Sequence, residues 1–212
     1  MKNFKRIPKH IGIIPDGNRR WAVENNLNKS DGYGHGVEPG VRLYELMVKY
    51  GIEEASFYGF TKDNNKRPKE QRLAYTKACI ESVESVANKD GNILVVGNTQ
   101  TDLFPEELKK YTTRVKFGEE KINLNFLINY DWKQDLEYGV KNKDLSETMS
   151  KDISKIDLII RWGGRRRLSG FLPIQSVYAD FYIIDKYWPA FEEQDFLDAL
   201  EWYQDCDVTL GG

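Results

Sequence analysis

His10-Ile11-Gly12-Ile13-Ile14-Pro15-Asp16-Gly17-Asn18-Arg19-Arg20-Trp21 is the stretch on which the reading of this chain turns. An apolar run rich in isoleucine has the character of a buried strand. It passes directly into a proline, a carboxylate, a glycine, an amide and two guanidiniums. A strand that delivers those groups at its end is arranged for a metal-bound phosphate or diphosphate. A lone Asp-Gly pair more often marks an ordinary turn before a helix, so the rest of the chain has to separate the two readings.

Further short runs of β-branched or aromatic character lie at 55–60, 93–96, 124–128, 158–160 and 181–184, in addition to 11–14. Segments of helical period separate most of them, at 37–50, 69–88, 105–116 and 192–203. Strand alternating with helix predicts an α/β fold with a mostly parallel central sheet flanked by helices. Ligands of such sheets gather beyond the carboxyl ends of the strands. There the chain is polar: residues 16–18, 61–68, 129–131 and 161–167 follow four of the runs, and four loops on one edge would build one anionic-ligand site. No G-x-x-x-x-G-K-[ST] loop and no G-x-G-x-x-G after a strand is present, which argues against a nucleotide or dinucleotide site.

The 212 residues are read as one domain, 1–212, without a Pro/Gly/Ser-rich linker or an evident repeat. Thirty-one basic and 33 acidic side chains nearly cancel, so no global field favours nucleic acid or an anionic membrane. No run approaches the ~20 apolar residues that span a bilayer, and the basic start is followed by too short an apolar stretch for a signal peptide. Cys79 and Cys206 stand far apart with no metal-ligand spacing, which implies reduced thiols and neither disulfide nor zinc. A soluble, cytoplasmic protein without a transmembrane segment is the expectation.

Four segments together resemble the cis-prenyltransferases, the undecaprenyl diphosphate synthase-like enzymes. Asp16-Gly17-Asn18, Arg20, Trp21 and Ala22 match the family's M-D-G-N-G-R-W-A, with Pro15 for the methionine and Arg19 for the second glycine. Phe60, Asn64, Arg67 and Pro68 match F-S-x-E-N-W-x-R-P, with Thr61 and Asp63 as conservative replacements and Asn65 where tryptophan is usual. The segment Gly32-Tyr33-Gly34-His35-Gly36 is similar to G-H-x-x-G, but Asp31 stands where relatives carry an arginine. The most specific match runs from Arg161 to Tyr182 and continues through Trp188-Pro189 to Phe191. It looks like R-T-G-G-x-x-R-L-S-N-F-L-x-W-Q-x-A-Y-A-E-x-Y and W-P-x-F. A solvated basic turn would explain the arginines but not the ordered small, aromatic and acidic positions beyond them.

The resemblance implies condensation of an allylic diphosphate with isopentenyl diphosphate to form a cis double bond, with Mg2+ as cofactor. In that pattern Asp16 holds the metal and helps ionise the allylic C–O bond. Gly17, Asn18, Arg19, Arg20 and His35 cradle the departing diphosphate, and Trp21 belongs to the same motif. Asn64 assists proton removal, within the loop of Thr61 and Arg67. Arg161, Arg167 and Ser169, with Leu168, form the clamp for the homoallylic diphosphate, since guanidinium forks bind phosphate oxygens in pairs. Asp180 occupies the position of a second acidic metal ligand. The apolar faces of 37–50 and 74–86 would flank the prenyl tail.

The family expectation is a homodimer. The abbreviated stretch 138–157 and Thr209, where a terminal arginine is usual, favour a short product. Pro15-Asp16-Gly17 with Asp31-Gly32-Tyr33 also looks like the irregular, lavandulyl-type branch, which couples head to middle or cyclises. A non-catalytic subunit and a diphosphate-binding module without turnover are the alternatives from outside catalysis. Such subunits tend to lose the Asp-Gly-Asn loop, which this chain keeps.

Overall fold

The computed structural model describes residues 2–87, 89–119, 121–141, 143–144 and 148–206. All five residues of β1 (His10–Ile14) are buried. It runs parallel to β2 (Glu54–Tyr58) on one side and β6 (Leu158–Arg161) on the other. Beyond β2 lie β5 (Asn123–Leu127) and then β3 (Gly91–Val96), and beyond β6 lies β7 (Asp180–Ile183), all parallel. A short antiparallel strand, β4 (Val115–Phe117), closes the β3 edge, giving the order β4-β3-β5-β2-β1-β6-β7.

Both faces are covered, one by helices and the other by the turn segments around residues 149–156 and 168–179, which explains the unbroken apolar runs. Successive strand residues point to opposite sides. Ile11 and Ile13 enter one core with Leu43, Met47, Val83 and Phe196, whereas Ile14 enters the other with Leu94, Leu127 and Phe171. Each fully buried isoleucine of this kind contributes about 1.5–3 kcal/mol relative to exposure. The first core is built by α2 (Val37–Tyr50), α3 (Lys69–Val86) and α5 (Glu193–Gln204), and two shorter helices, α1 (Asn18–Glu24) and α4 (Trp132–Lys141), complete the set among the described residues.

The helix expected at 105–116 is absent. Glu106–Tyr111 forms a 3-10 segment, and the chain then straightens into β4. Leu108 and Tyr111 are both buried and sit three residues apart, a spacing that fits three residues per turn as well as 3.6. Val115 and Phe117 meanwhile pack on the first core from the sheet edge. Residue 88, at the end of the expected 69–88 helix, lies outside the described residues, as does Thr209.

The amino end of the sheet carries a buried polar cluster. His10 is 1% exposed, with Nε2 2.9 Å from Ser56 Oγ and Nδ1 3.0 Å from Ser154 Oγ. Asn125 donates to Glu54 Oε1 at 2.6 Å. Burial lowers the pKa of His10 against the pull of Glu54, so the ring is favoured neutral.

Candidate active site

Parallel register sets Ile14 opposite Arg161, so the loops that leave β1 and β6 emerge side by side at the carboxyl edge. Arg161 is only 3% exposed. Its Nη2 donates to Asp16 Oδ2 at 2.8 Å, and its Nη1 donates to Ser169 Oγ at 3.0 Å and to the carbonyl of Arg167. One buried guanidinium thereby ties together segments about 150 residues apart in sequence. Arg20, four residues after Asp16, donates to the Gly163 carbonyl at 2.9 Å and faces Asp16 Oδ1 at 3.4 Å.

Burial pushes the Asp16 carboxyl up, but the Arg161 hydrogen bond and the charges of Arg161 and Arg20 outweigh it. The group is held below its ordinary value and is ionised at neutral pH. Two glycines make the closeness possible. Gly17 has φ 104°, and a Cβ there would lie 2.6 Å from the Tyr187 ring. Gly163 has φ 84°, and a Cβ would lie 2.6 Å from Arg20 Nη2. Both backbone shape and space demand glycine.

These loops bound a pocket of about 790 Å³ whose wall carries seven cationic side chains, Arg19, Arg20, Lys29, Arg67, Arg161, Arg165 and Arg167. The opposing carboxylates are three, Asp16, Glu24 and Asp63, of which Asp16 is bound by arginine and Glu24 accepts from the Tyr187 hydroxyl at 2.7 Å. Such an excess of cations is suited to a polyanion. The loop after β2 supplies Thr61, Asn64 and Arg67. Asn64 Oδ1 accepts the Thr61 N–H at 3.0 Å in a reciprocal cap. That bond fixes the amide orientation and leaves the NH2 as the group offered to the pocket.

Asp16, Gly17, Asn18, Arg19 and Arg20 are brought together with Thr61, Asn64, Arg67, Arg161, Arg167 and Ser169. Trp21 and His35 are not on this wall. Their rings pack on each other at 4.7 Å, and His35 is exposed. Leu168 packs against the second core instead. Asp180 opens β7 opposite Leu158, at the amino edge of the sheet, while Asp16 lies beyond the carboxyl edge. Within one chain the two carboxylates therefore cannot share a cation, which corrects the expectation that both ligate one metal.

The loop at 129–131 is also absent from the wall, so three of the four expected loops build the site. Asn129 donates to the Asn98 carbonyl at 2.8 Å, and Asp131 pairs with Lys62 at 2.8 Å. Asp31 turns away and accepts the Asn28 N–H, and Lys29 takes a place on the wall. Lys29, Arg165, Tyr33, Tyr58 and Tyr187 were not singled out from sequence. Arg165 could have been, since it stands inside the quoted 161–169 run. Among the described residues no group of three or more His, Cys, Asp or Glu side chains gathers to hold a metal. Asp16 is the one carboxylate at the tie between loops.

Beside the pocket lies a smaller apolar cavity of about 70 Å³. Val37 and Tyr44 of α2, Ala78 and Cys79 of α3, and Phe57 and Phe126 of the sheet line it. Burial pushes the Cys79 thiol up to about 12, so it serves as apolar wall and not as a nucleophile. No helix among the described residues is long and apolar enough to cross a membrane.

Comparison with known proteins identifies relatives along nearly the whole chain. An isoprenyl transferase from Leptospira interrogans is 30% identical, covering 97% of this chain and 95% of its own. One from Clostridium acetobutylicum is 32% identical, covering 99% and 92%. The ditrans,polycis-undecaprenyl-diphosphate synthase ((2E,6E)-farnesyl-diphosphate specific) of Buchnera aphidicola is 29% identical over 100% and 96%. The crystal structure of lavandulyl diphosphate synthase from Lavandula x intermedia, in complex with dimethylallyl diphosphate, shares the fold. Its TM-score is 0.79 at 22% identity, with 97% and 98% of the two chains covered. The family model "Putative undecaprenyl diphosphate synthase" matches residues 14–211, from the end of β1 onward. The chain belongs to the undecaprenyl diphosphate synthase family and is a prenyltransferase.

Proposed function

We propose that this chain condenses an allylic diphosphate with isopentenyl diphosphate to a short cis-prenyl diphosphate, with magnesium. The observation that carries the reading is the Arg161–Asp16 contact, which joins the two anion-directed loops at one rim. As the allylic C–O bond ionises, charge builds on the departing diphosphate. Fixed guanidiniums aimed at that charge lower the barrier without reorganising. A second diphosphate held by Arg167 and Ser169 would convert an encounter of two like-charged molecules into a step within one complex.

Magnesium suits the donor set. It binds through one or two carboxylates together with substrate phosphates, and Asp16 is one ionised carboxylate whose side chain is 32% exposed. When bound, the ion supplies positive charge to the diphosphate that leaves. Asn64 offers an amide NH2, which accepts no proton, so in this reading it orients a diphosphate and assists deprotonation indirectly. Gly17, Asn18, Arg19 and Arg20 cradle the allylic head group. The 70 Å³ cavity supports a short tail. Exposed Val177 and Tyr178, at 66% and 58%, support a homodimer, and the free thiols support a cytoplasmic setting.

The test is incubation with magnesium and dimethylallyl, geranyl or farnesyl diphosphate, each with and without isopentenyl diphosphate. The dephosphorylated alcohols are then analysed for mass and double-bond geometry. A cis product only in the presence of isopentenyl diphosphate is expected. Product from dimethylallyl diphosphate alone would replace this reading with irregular coupling.

A further inference from the structure

A third segment, the one that leaves β7, meets the two anion-directed loops at the carboxyl edge of the sheet. Its backbone is bonded to both of them. The Gly163 N–H donates to the Lys186 carbonyl at 2.7 Å, and the Trp188 N–H donates to the Asp16 carbonyl at 3.0 Å. Tyr187 lies between those two anchors, on the wall of the cationic pocket. Its ring fills the space that a Cβ on Gly17 would need, so backbone bonds and ring packing set where it stands.

Two charged side chains of α1 converge on this tyrosine. The Arg20 guanidinium lies over the ring, 4.9 Å from its centroid, and the hydroxyl donates to Glu24 Oε1 at 2.7 Å. Arg20 and Glu24 stand four residues apart on α1, the spacing at which opposite charges pair along a helix. An ion pair between them would turn the guanidinium along α1 and set a carboxylate beside it. Here the phenol occupies Glu24, and Arg20 is held by the Gly163 carbonyl at 2.9 Å and Asp16 at 3.4 Å. A guanidinium carries five N–H donors, more than those two contacts use, and the rest are available to the pocket.

We propose that Tyr187 is a positioning residue for Arg20: its ring holds the guanidinium by its face, and its hydroxyl keeps Glu24 from pairing with it. Arg20 is thereby directed at the diphosphate of the allylic substrate. The proposal rests on the prenyl diphosphate reading above and adds to it a residue that acts through another. Hydroxyl and ring have separable duties. The hydroxyl acts by way of Glu24, so it matters only while residue 24 carries a charge. The ring acts on Arg20 directly, so it matters whatever residue 24 is.

Calorimetric affinities for inorganic diphosphate and for the unreactive dimethylallyl thiolodiphosphate, with magnesium present, test this in wild type, Tyr187→Phe and Tyr187→Leu, each with and without Glu24→Gln. Tyr187→Phe should weaken the thiolodiphosphate by about fivefold or more, a coupling of the size that contacting groups show. Adding Glu24→Gln to Tyr187→Phe should restore the wild-type affinity, which a tyrosine that merely stabilised the fold would not allow. Tyr187→Leu should weaken binding further and be restored only in part. An unchanged affinity in Tyr187→Phe, or a loss that Glu24→Gln does not restore, would overturn the positioning role while leaving the anion site standing. Full restoration in Tyr187→Leu would strike the ring's share of that role. A wild-type protein that binds neither inorganic diphosphate nor the thiolodiphosphate would overturn both the role and the reading beneath it.

Discussion

Arg161 carries two duties that a lysine could not combine. Its planar fork reaches Asp16 from one nitrogen and Ser169 from the other, at 2.8 and 3.0 Å, while its stem stays buried at the end of β6. An ammonium on a flexible stem offers neither that geometry nor the same charge delocalisation. Arg161→Lys should lower kcat by about 10²-fold or more, the scale seen when one fixed donor to developing charge is removed, and steady-state kinetics at saturating magnesium would show it. Asp16→Ala should abolish product formation while thermal melting stays cooperative.

The pH dependence follows from the same pair. Because the folded pKa of Asp16 is depressed, its ion pair contributes stability above the ordinary carboxylate value of 3.8. That contribution is lost as pH falls through the lower, folded value. Arg161→Gln removes the main lowering influence and leaves burial. The Asp16 pKa should rise, and carbon-13 carboxyl titration would register the upward shift. No change would show that Arg161 does not hold the group.

At the scale of elements, the site depends on where loops bend. Gly163 occupies the left-handed region with Asp16 and Arg20 against it, so Gly163→Ala should cost about 1–3 kcal/mol in strain and weaken diphosphate binding by splaying the β1 and β6 loops. Chemical denaturation and calorimetry measure the two effects.

Elements also show why some of this was legible beforehand and some was not. Residues 16–20 and 161–169 announce themselves because their polar groups are contiguous and follow apolar runs directly. Tyr33 and His35 show the opposite case. The histidine is the conspicuous chemical signal, yet the 3-10 segment Asp31–Gly36, at three residues per turn, buries Tyr33 toward the pocket and leaves His35 exposed. Nothing local distinguishes the two. Lys29 and Tyr187 reach the wall by packing of distant segments, which no spacing encodes. Asp180 falls at the opposite edge of the sheet from Asp16 within one chain, because a motif position says nothing of which end of a strand it occupies.

Across the whole molecule, the parallel sheet separates two polar regions. The carboxyl edge carries the cationic pocket, and the amino edge carries the buried cluster around His10. His10 is held neutral by burial, so its folded pKa lies below the ordinary 6.5. The unfolded chain then binds the proton first. Stability is fully present above pH 6.5 and is lost as pH falls from there through the folded value. Melting temperatures between pH 8 and 5 should decline for wild type and decline less for His10→Gln. Equal slopes would remove His10 as the cause.

The central claim is that two sequence-distant loops form one diphosphate site at one edge of the sheet. Hydrogen–deuterium exchange with and without inorganic diphosphate and magnesium reads it directly. Slowed exchange is expected together in residues 16–24 and 161–169, with residues 2–10 and 178–181 at the far edge unaffected. Protection confined to one of the two loops, or appearing at the far edge, would contradict the account.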